Sequence, residues 1–232
     1  FVPEWSKNST LLPTGRTAGQ LIGNYVIDHI TIRRGGLLVT QDVNLTSTTL
    51  TLGSDDSGEV RSDIDTKGIC SFTVDQLYIG ASGKVNGVAY GFDRDKGPGS
   101  KNQGDGASHG GIGYRNTEST IAGTGGGYGS YVWPTTMGSG GGGTNGGRGG
   151  SAVAFHVQES FTHHGIVDVS GEVGGQDHGS GAGGSILVTT KQLHGTGSFV
   201  ANGAKEPSNG NGNTGGKGYA SGGGRVAIHC VD

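Results

Sequence analysis

The chain has 232 residues, of which 52 are glycine, and its 16 basic and 19 acidic residues give a net charge of −3. Glycine and proline make up about a quarter of it, a level at which low-complexity disorder has to be weighed. The charged fraction of only 15% argues against a disordered tail, and the weakly acidic balance argues against a nucleic-acid partner. Long helices are disfavoured as well, because each interior glycine costs about 0.8–1 kcal/mol relative to alanine. These observations favour one β-rich domain.

A short phrase of strand, glycine turn and strand recurs in the first part of the chain. Its first strands are Ile30–Ile32, Leu50–Leu52 and Leu77–Ile79, whose last residues lie 20 and 27 residues apart. Such an interval suits one coil of a β-solenoid, in which similar side chains stack on each other. The second strands predicted for these three units are Leu37–Val39, Gly58–Val60 and Gly83–Val85.

A longer version of the phrase follows downstream. Gly165–Gly171 and Gly197–Gly203 share their internal spacing and lie 32 residues apart, and the strands before them, Ala152–Val157 and Ser185–Val188, also match. Gly224–His229 is a final partial copy. The sequence therefore predicts an all-β fold, a parallel β-helix (β-solenoid) with long glycine-rich loops or extended glycine-rich segments; a β-sandwich, which would normally offer more apolar residues per strand, is the alternative. The predicted inward residues include Ile32, Leu52, Val74, Ile79, Val157, Val188 and Val226.

The glycines are distributed unevenly, with 41 of the 52 after Tyr90. We therefore expect residues 1–232 to form a single elongated solenoid segment of a larger chain, with regular short coils over 1–90 and coils with glycine-rich insertions over 91–232. The glycine tracts are either flexible loops or close-packed extended segments whose backbones bond to each other. Aromatic residues within the tracts, such as Tyr128 and Trp133, favour packed segments.

The glycine-rich part also carries a resemblance to a known group of proteins. Ser108–Gly113, Tyr128–Ser130 and Gly138–Gly143 resemble a glycine-rich repeat region of large secreted or cell-surface proteins of microbes and protists. In that group, strings similar to Gly181–Ile186 and Gly222–Ile228 follow, as they do here. The resemblance covers roughly residues 70–230 and implies an extracellular β-solenoid segment of a larger chain, without catalytic residues to carry over.

Several features bear on the compartment. No stretch approaches the roughly 18 consecutive apolar residues of a membrane-spanning helix, so no membrane span is expected. Asn8 and Asn44 each begin an Asn-x-Thr tripeptide, which is a predicted glycosylation site if the protein is secreted. Cys70 and Cys230 form either a disulfide, which would fit an oxidising compartment, or two unpaired thiols.

The metal-binding candidates are weak. His163 and His164, together with His194 about one repeat later, could be brought together by stacking, and imidazole is a good ligand for zinc, copper or nickel. A row of polar residues on a solvated face is the favoured interpretation. His109 is expected to hydrogen-bond nearby backbone in a tight loop. Asp93 and Asp95 begin like a calcium loop but lack the later ligands, which favours an ordinary charged loop.

Carboxylate pairs are candidates for catalysis because two acids 5 to 10 Å apart can cleave glycosides. Asp63 and Asp65 share one face of a predicted strand, and Asp55–Asp56 could lie at a turn on the next coil. Spacing alone gives neither a cleft nor a difference in pKa, so solvated surface acids are favoured. We therefore predict no catalytic, cofactor-binding or metal-binding residues.

The leading hypothesis for function is a non-enzymatic structural or adhesive segment of an extracellular assembly, such as a filament, an appendage or a surface layer. Its expected partners are copies of itself or neighbouring segments of a larger extracellular protein, and glycans are a further class. The alternative is a carbohydrate-binding or polysaccharide-cleaving β-helix protein.

Overall fold

A computed structural model describes residues 10–11, 18–56, 58–100, 104–114, 126–205 and 219–231. Within these ranges the chain contains strands but no helix, and each pair of neighbouring strands is parallel. The predicted all-β, parallel fold is thus confirmed. The strands of the described residues are β1 (Thr10–Leu11), β2 (Ala18–Val26), β3 (His29–Ile32), β4 (Leu37–Leu52), β5 (Ser62–Lys67), β6 (Ile69–Ile79), β7 (Gly83–Asn86), β8 (Ala152–His163), β9 (Ile166–Asp168), β10 (Ser185–Thr190), β11 (Gln192–His194), β12 (Ser198–Val200) and β13 (Arg225–Cys230).

The strands stack into three faces, and the chain visits the faces in the same order each time. Face A is the stack β2–β4–β5–β7–β9–β12, and face B is the stack β2–β4–β6–β8–β10–β13. Face C is the stack β1–β3–β4–β6–β8–β11. One passage over A, B and C is one coil, and the stacked coils give the fold a solenoid-like form. Strand β4 crosses all three faces in a single coil.

The corner between faces A and B has a left-handed backbone. In successive coils this corner contains Gly23, Asp42 and Gly68, with φ of +97°, +46° and +71°. Glycine adopts this conformation without strain, and aspartate tolerates it because its side chain can bond locally. The Asp42 carboxylate accepts a hydrogen bond from the Ile69 N–H of the next coil at 3.0 Å. Two of these three corners are thus glycines.

Residues with the predicted repeat spacing stack directly on each other in the core. Ile32 aligns with Leu52 and Leu52 with Ile79, and all three side chains are fully buried. The predicted strand Gly58–Val60 is wrong, because these residues form a turn in which Val60 is 69% exposed. The corresponding position on face A is taken by β5 instead.

One column of inward side chains runs through six coils of face B. Tyr25 aligns with Leu45, followed by Phe72, Phe155, Val188 and finally Ile228. The rings of Phe72 and Phe155 stack with their centroids 5.5 Å apart. Burying such large apolar side chains stabilises the fold by about 1.5–3 kcal/mol each. The column makes the narrow core continuous along the stack.

Three long insertions leave the solenoid between faces A and B in successive coils. They occupy residues 87–151, 169–184 and 201–224, and their described parts form what we call the glycine layer. Direct backbone hydrogen bonds join them: Gly150 N–H donates to the Ala182 carbonyl at 2.9 Å, and Gly183 N–H donates to the Gly222 carbonyl at 3.2 Å. Because the bonds run between insertions, the described tracts are packed segments and not loose loops.

Glycine is required in this layer because the backbones approach too closely for a Cβ atom. A Cβ on Gly150 would overlap the Val169 carbonyl oxygen and lie 2.7 Å from the Gly184 nitrogen. A Cβ on Gly183 would overlap the Ala201 carbonyl oxygen. The same constraint selects glycine at the crowded axis of collagen. The glycine tracts therefore act as packing elements.

Candidate functional site: the open end and the corner cleft

The last coil exposes side chains that occupy core positions in every coil below it. Val226 aligns with the buried Ile186, and Ile228 aligns with the buried Val188. Yet Val226 is 43% exposed and Ile228 is 42% exposed. Cys230, aligned with the buried Thr190, is exposed in the same way. We call Phe199, Val226, Ile228 and Cys230 the open end of the stack.

The backbone of this coil is also unpaired on one side. Among the described residues, β13 pairs only with β10, β12 only with β9, and β11 only with β8. Free N–H and C=O groups along a strand edge are a template for another strand. The open end thus combines exposed core side chains with an unpaired strand edge.

An aromatic loop flanks the open end on its outer side. The ring of Trp133 stacks on His229 of β13 at 4.5 Å, and His229 Nε2 donates to the Val132 carbonyl at 2.7 Å. Ser130 Oγ accepts hydrogen bonds from the Val132 and Trp133 N–H groups at 3.2 and 2.9 Å, which fixes the turn. Tyr131 and Trp133 are exposed, so the loop adds aromatic surface beside β13.

A second feature is a cleft of about 380 Å³ where face A turns into face B beside the glycine layer. The Lys67 ammonium lies 5.2 Å from the centroid of the Tyr90 ring, within cation–π distance. Arg148 Nε donates to Asp93 Oδ1 at 3.0 Å, and the pKa of Asp93 is lowered, first by the Arg94 N–H and then by Arg148. We call this the corner cleft; its lining includes Gln41, Asp42, Lys67, Tyr90, Asp93, Met137 and Arg148.

Hydrogen bonds through Asp65 fix the position of Tyr90. Its hydroxyl donates to Asp65 Oδ2 at 3.2 Å, and Asn86 Nδ2 donates to Asp65 Oδ1 at 3.0 Å. Burial, reinforced by the charge of Asp65, raises the pKa of Tyr90. The ring is therefore a fixed, neutral platform at the edge of the cleft.

The turn before β5 is organised around one carboxylate. Glu59 accepts hydrogen bonds from Arg33, from Ser54 Oγ at 2.7 Å and from the Arg34 N–H at 2.9 Å. These donors, above all Arg33, lower the pKa of Glu59 to about 2. Because the turn ties coils together through Glu59, its residues are unavailable for face A, which explains the misplaced strand at Val60.

The structure separates the three histidines considered as metal ligands. His163 points into the core, its ring lies between Phe161 and Phe199 at 5.4 and 4.6 Å, and burial lowers its pKa. His164 Nδ1 lies 3.5 Å from Thr196 Oγ1, and His194 is exposed beside Gln192. No group of three or more His, Cys, Asp or Glu side chains suited to a metal ion occurs in the described part of the chain.

The side chain of His109 hydrogen-bonds a backbone carbonyl, but this carbonyl lies 74 residues away and not in the nearby loop backbone that was predicted. Its Nδ1 lies 2.6 Å from the Gly183 carbonyl, so this nitrogen donates. Nε2 then accepts from Thr136 Oγ1 at 2.9 Å, and Tyr128 stacks on the ring at 4.7 Å. Burial lowers the pKa of His109. The residue fastens two insertions of the glycine layer to each other.

The acidic candidates are engaged as hydrogen-bond acceptors. Asp55 accepts from the Tyr78 hydroxyl at 2.5 Å, which lowers the pKa of Asp55, whereas a general acid needs a raised one. Burial and then Asp55 raise the pKa of Tyr78 to about 12. Asp63 pairs with Arg61 at 3.0 Å, and Asp56 Oδ1 accepts the Gly58 N–H at 2.9 Å.

Asp95 of the calcium candidate accepts the Gly143 N–H at 2.6 Å, and Asp93 binds Arg148 as described above. These contacts make residues 93–97 a charged loop that is fastened to the glycine layer.

The predicted modification sites have different outcomes. Asn8 lies outside the described residues. Asn44 lies on β4, is exposed, and donates through Nδ2 to Asn24 Oδ1 at 3.0 Å, so its glycosylation stays a prediction. Cys70 is buried and Cys230 exposed, and both are free thiols, so the possible disulfide is not formed. The strand register explains this, because β8 and β10 lie between β6 and β13 on face B.

Comparison with protein-family models, with curated proteins and with solved structures finds no match. Within the described ranges, no helix has the length and hydrophobicity needed to cross a membrane. Function therefore has to be argued from the open end and the corner cleft. Sequence reasoning had placed Val226 in the core and had not found either surface; the partial repeat Gly224–His229 was the signal for the open end.

Proposed function

We propose that this chain is a non-enzymatic structural segment of an extracellular assembly, built as a parallel β-solenoid with glycine-rich insertions. The observation that carries the proposal is the open end, where Val226 and Ile228 keep core positions but no described residues form a coil over them. An unpaired parallel edge above a continuous apolar core favours further stacking, since solenoid stability comes from the interfaces between neighbouring coils. A filament, an appendage or a surface layer would use such stacking.

The extracellular location rests on sequence features. The side chains of Asn44 and Thr46 are exposed on face B, which leaves the acceptor amide accessible to a glycosylating enzyme. The resemblance of the glycine-rich part to secreted or cell-surface proteins of microbes and protists supports the same compartment and an adhesive role.

The test of this proposal is the size and shape of the purified chain. Light scattering over a concentration series, followed by negative-stain microscopy, should show masses above that of one 23.3 kDa chain and elongated particles. A compact particle of single-chain mass at every concentration would remove the structural proposal.

Glycan binding is the second candidate, and the corner cleft is the observation that favours it. An aromatic ring beside charged and amide side chains suits a sugar, because the apolar face of the sugar packs on the ring while its hydroxyls bond to the polar groups. Tyr90 provides the ring, and Gln41, Asp42 and Arg148 provide the polar groups.

A glycan array identifies a ligand, and Tyr90→Leu should then weaken its binding by at least about tenfold, equivalent to about 1.4 kcal/mol. Tyr131→Leu is the matched control, because Tyr131 is exposed and lies outside the cleft. An array without a positive glycan, or equal binding by both variants, would exclude the corner cleft as a sugar site.

A further inference from the structure

We propose that the corner cleft takes an anionic glycan, in which a sugar carries a carboxylate or a sulfate group, and that Lys67 selects this charge. The inference rests on the proposed glycan binding at the cleft and names the class of ligand. The strands that line the cleft are β4 and β5, and both have described strands on either side. The cleft therefore belongs to interior coils of the stack.

Lys67 carries a charge that is not paired with an acid among the described residues. It is the last residue of β5 and is half-buried, and its ammonium lies 5.2 Å from the centroid of the Tyr90 ring. No ion pair or hydrogen bond joins its Nζ atom to another described residue, whereas Lys84 on the same face pairs with Asp168. Because the ring offers no oxygen acceptor, the N–H donors of the Lys67 ammonium can still bind an anion.

The carboxylates that line the cleft are already engaged by donors. Asp42 Oδ1 accepts the Ile69 N–H at 3.0 Å. Asp93 Oδ1 accepts the Arg94 N–H at 2.9 Å and Arg148 Nε at 3.0 Å. The acids of the cleft are thus partly neutralised by their own donors.

Arg148 adds a second cation with unused donors. Its side chain is 46% exposed, and only its Nε takes part in the contact with Asp93. The two terminal nitrogens of the guanidinium make no hydrogen bond to a described residue, and their paired N–H groups match the two oxygens of a carboxylate or sulfate. Lys67 and Arg148 therefore offer an anion free donors, while Gln41 can bond to the hydroxyl groups of the sugar.

A strained turn fixes the aromatic ring in the cleft. Ala89, which lines the cleft, has φ of +60°, a left-handed conformation that is uncommon for a residue with a Cβ atom. The Tyr90 N–H donates to the Gly87 carbonyl at 3.3 Å, and the Tyr90 carbonyl accepts the Gly68 N–H at 2.8 Å. Strain of this kind clusters at ligand-binding sites, where it holds a side chain ready for its ligand.

The position of Lys67 favours an anionic sugar over a neutral one. A sugar that packs on the face of the Tyr90 ring covered by Lys67 has to displace the ammonium. A neutral sugar offers only hydroxyl groups in exchange for the cation–π contact, whereas a carboxylate or sulfate offers an ion pair, which the flexible lysine stem can follow. The net charge of the chain is −3, so the protein as a whole does not attract anions. A preference for an anionic sugar therefore comes from the cleft.

The experiment compares matched pairs of oligosaccharides. A glycan array with neutral, uronate-containing and sulfated oligosaccharides of equal length finds the binders. Isothermal titration calorimetry then measures each anionic binder beside its neutral form, which is made by reducing the carboxyl group or removing the sulfate. The anionic form should bind at least about tenfold more tightly, and added salt should reduce this preference. The carboxylate and sulfate pairs show which anion the cleft takes.

Three variants test whether Lys67 is the source of the preference. Lys67→Gln removes the charge and should bring the two forms of each pair to nearly equal affinity, whereas Lys67→Arg keeps the charge and should keep the preference. Lys191→Gln is the matched control, because Lys191 is exposed and lies outside the cleft. Circular dichroism confirms that each variant is folded.

Four results would overturn the inference. They are binders that are all neutral, equal affinity of the unchanged chain for both forms of every pair, an unchanged preference in folded Lys67→Gln, and an equal loss of preference in Lys191→Gln. Glycans still bind in all four, so Tyr90→Leu still tests the cleft as a sugar site. An array without a positive glycan would remove both the proposed glycan binding and its preference for anions.

Discussion

Replacing Gly150 by alanine should destabilise the protein far more than the same change at Gly223. A Cβ on Gly150 overlaps the Val169 carbonyl oxygen and lies 2.7 Å from the Gly184 nitrogen, where ordinary contact begins near 3.4 Å. Both neighbours are backbone atoms of another insertion, so no side-chain rotation relieves the overlap. At Gly223 the nearest atom is 3.9 Å away, and its φ lies outside the left-handed region.

The expected loss of stability in Gly150→Ala follows from the backbone segments that the new Cβ would displace. Moving Gly150 away strains its N–H bond to the Ala182 carbonyl of the neighbouring insertion, of 2.9 Å, and leaving it in place forces the Cβ against the 2.8 Å bond from Gly184 N–H to the Val169 carbonyl within that insertion. Overpacking costs about 1–3 kcal/mol, and each lost hydrogen bond costs about 0.5–1.5 kcal/mol, so Gly150→Ala should cost about 2–6 kcal/mol. At about 2–4 °C per kcal/mol for a chain of this size, Tm should fall by roughly 4–24 °C.

Gly223→Ala should instead stabilise the protein by about 0.4–1 kcal/mol, because alanine reduces the entropy of the unfolded chain. Differential scanning calorimetry of the two variants and the unchanged protein provides the comparison. Equal melting temperatures for the two variants would refute the conclusion that the glycine layer is a packed structure.

Two predictions concern the dependence of stability on pH. The pKa of His163 in the folded protein lies below its ordinary value of 6.5, so stability is intact above pH 6.5 and falls below it, as the unfolded chain binds more protons. His163→Leu should therefore flatten the fall in Tm as the pH drops from 7 to 5, and the remaining fall comes from His109 and His156, whose pKa values burial also lowers; an unchanged slope would contradict this. Glu59 has its pKa lowered from 4.5 to about 2, so its contribution is present above pH 4.5 and is lost as the pH falls towards 2. Glu59→Gln should lower Tm at neutral pH and reduce the acid-induced loss in that window, which urea unfolding at several pH values measures; the same acid dependence in variant and parent would refute the role assigned to Glu59.

The repeat spacing was sufficient to predict the stacked core because inward residues repeat once per coil. Ile32, Leu52 and Ile79 illustrate this, since each ends a strand on face C and the three align in register. The spacing of 32 residues between the downstream repeats is likewise the register of Ile166 with Ser198. In a parallel stack, residues that lie one repeat apart in the sequence are therefore neighbours in adjacent coils.

Other features depend on contacts that no local pattern encodes. The strand predicted at Val60 failed because Glu59 is drawn into contact with Arg33, 26 residues away. The order of the glycine layer depends on backbone hydrogen bonds between insertions. Because glycine has no side chain, these bonds leave no pattern of side chains in the sequence from which they could be predicted. His163 and His164 are adjacent, yet His163, the last residue of β8, is buried, whereas His164, which follows the strand, is only partly buried.

The last partial repeat marks the position of the open end in the sequence, but the exposure of its side chains is a property of the three-dimensional stack. Val226 carries an apolar side chain in the same register as Ile186, and only the structure shows that nothing described lies above it. The corner cleft had no counterpart in the sequence, because Lys67, Tyr90 and Arg148 come from three separate stretches of the chain.

The rate of alkylation of Cys230 tests the central claim most directly in the unchanged chain. Cys70 is buried, so a thiol reagent reports on Cys230, which is exposed at the open end. Stacking should cover Cys230, so its alkylation should slow by at least about tenfold as the protein concentration rises from values at which single chains dominate to values at which assemblies form. A tenfold slower reaction corresponds to an association free energy of about 1.4 kcal/mol. A rate that is the same in dilute and concentrated protein would contradict the claim that the open end is where this molecule assembles.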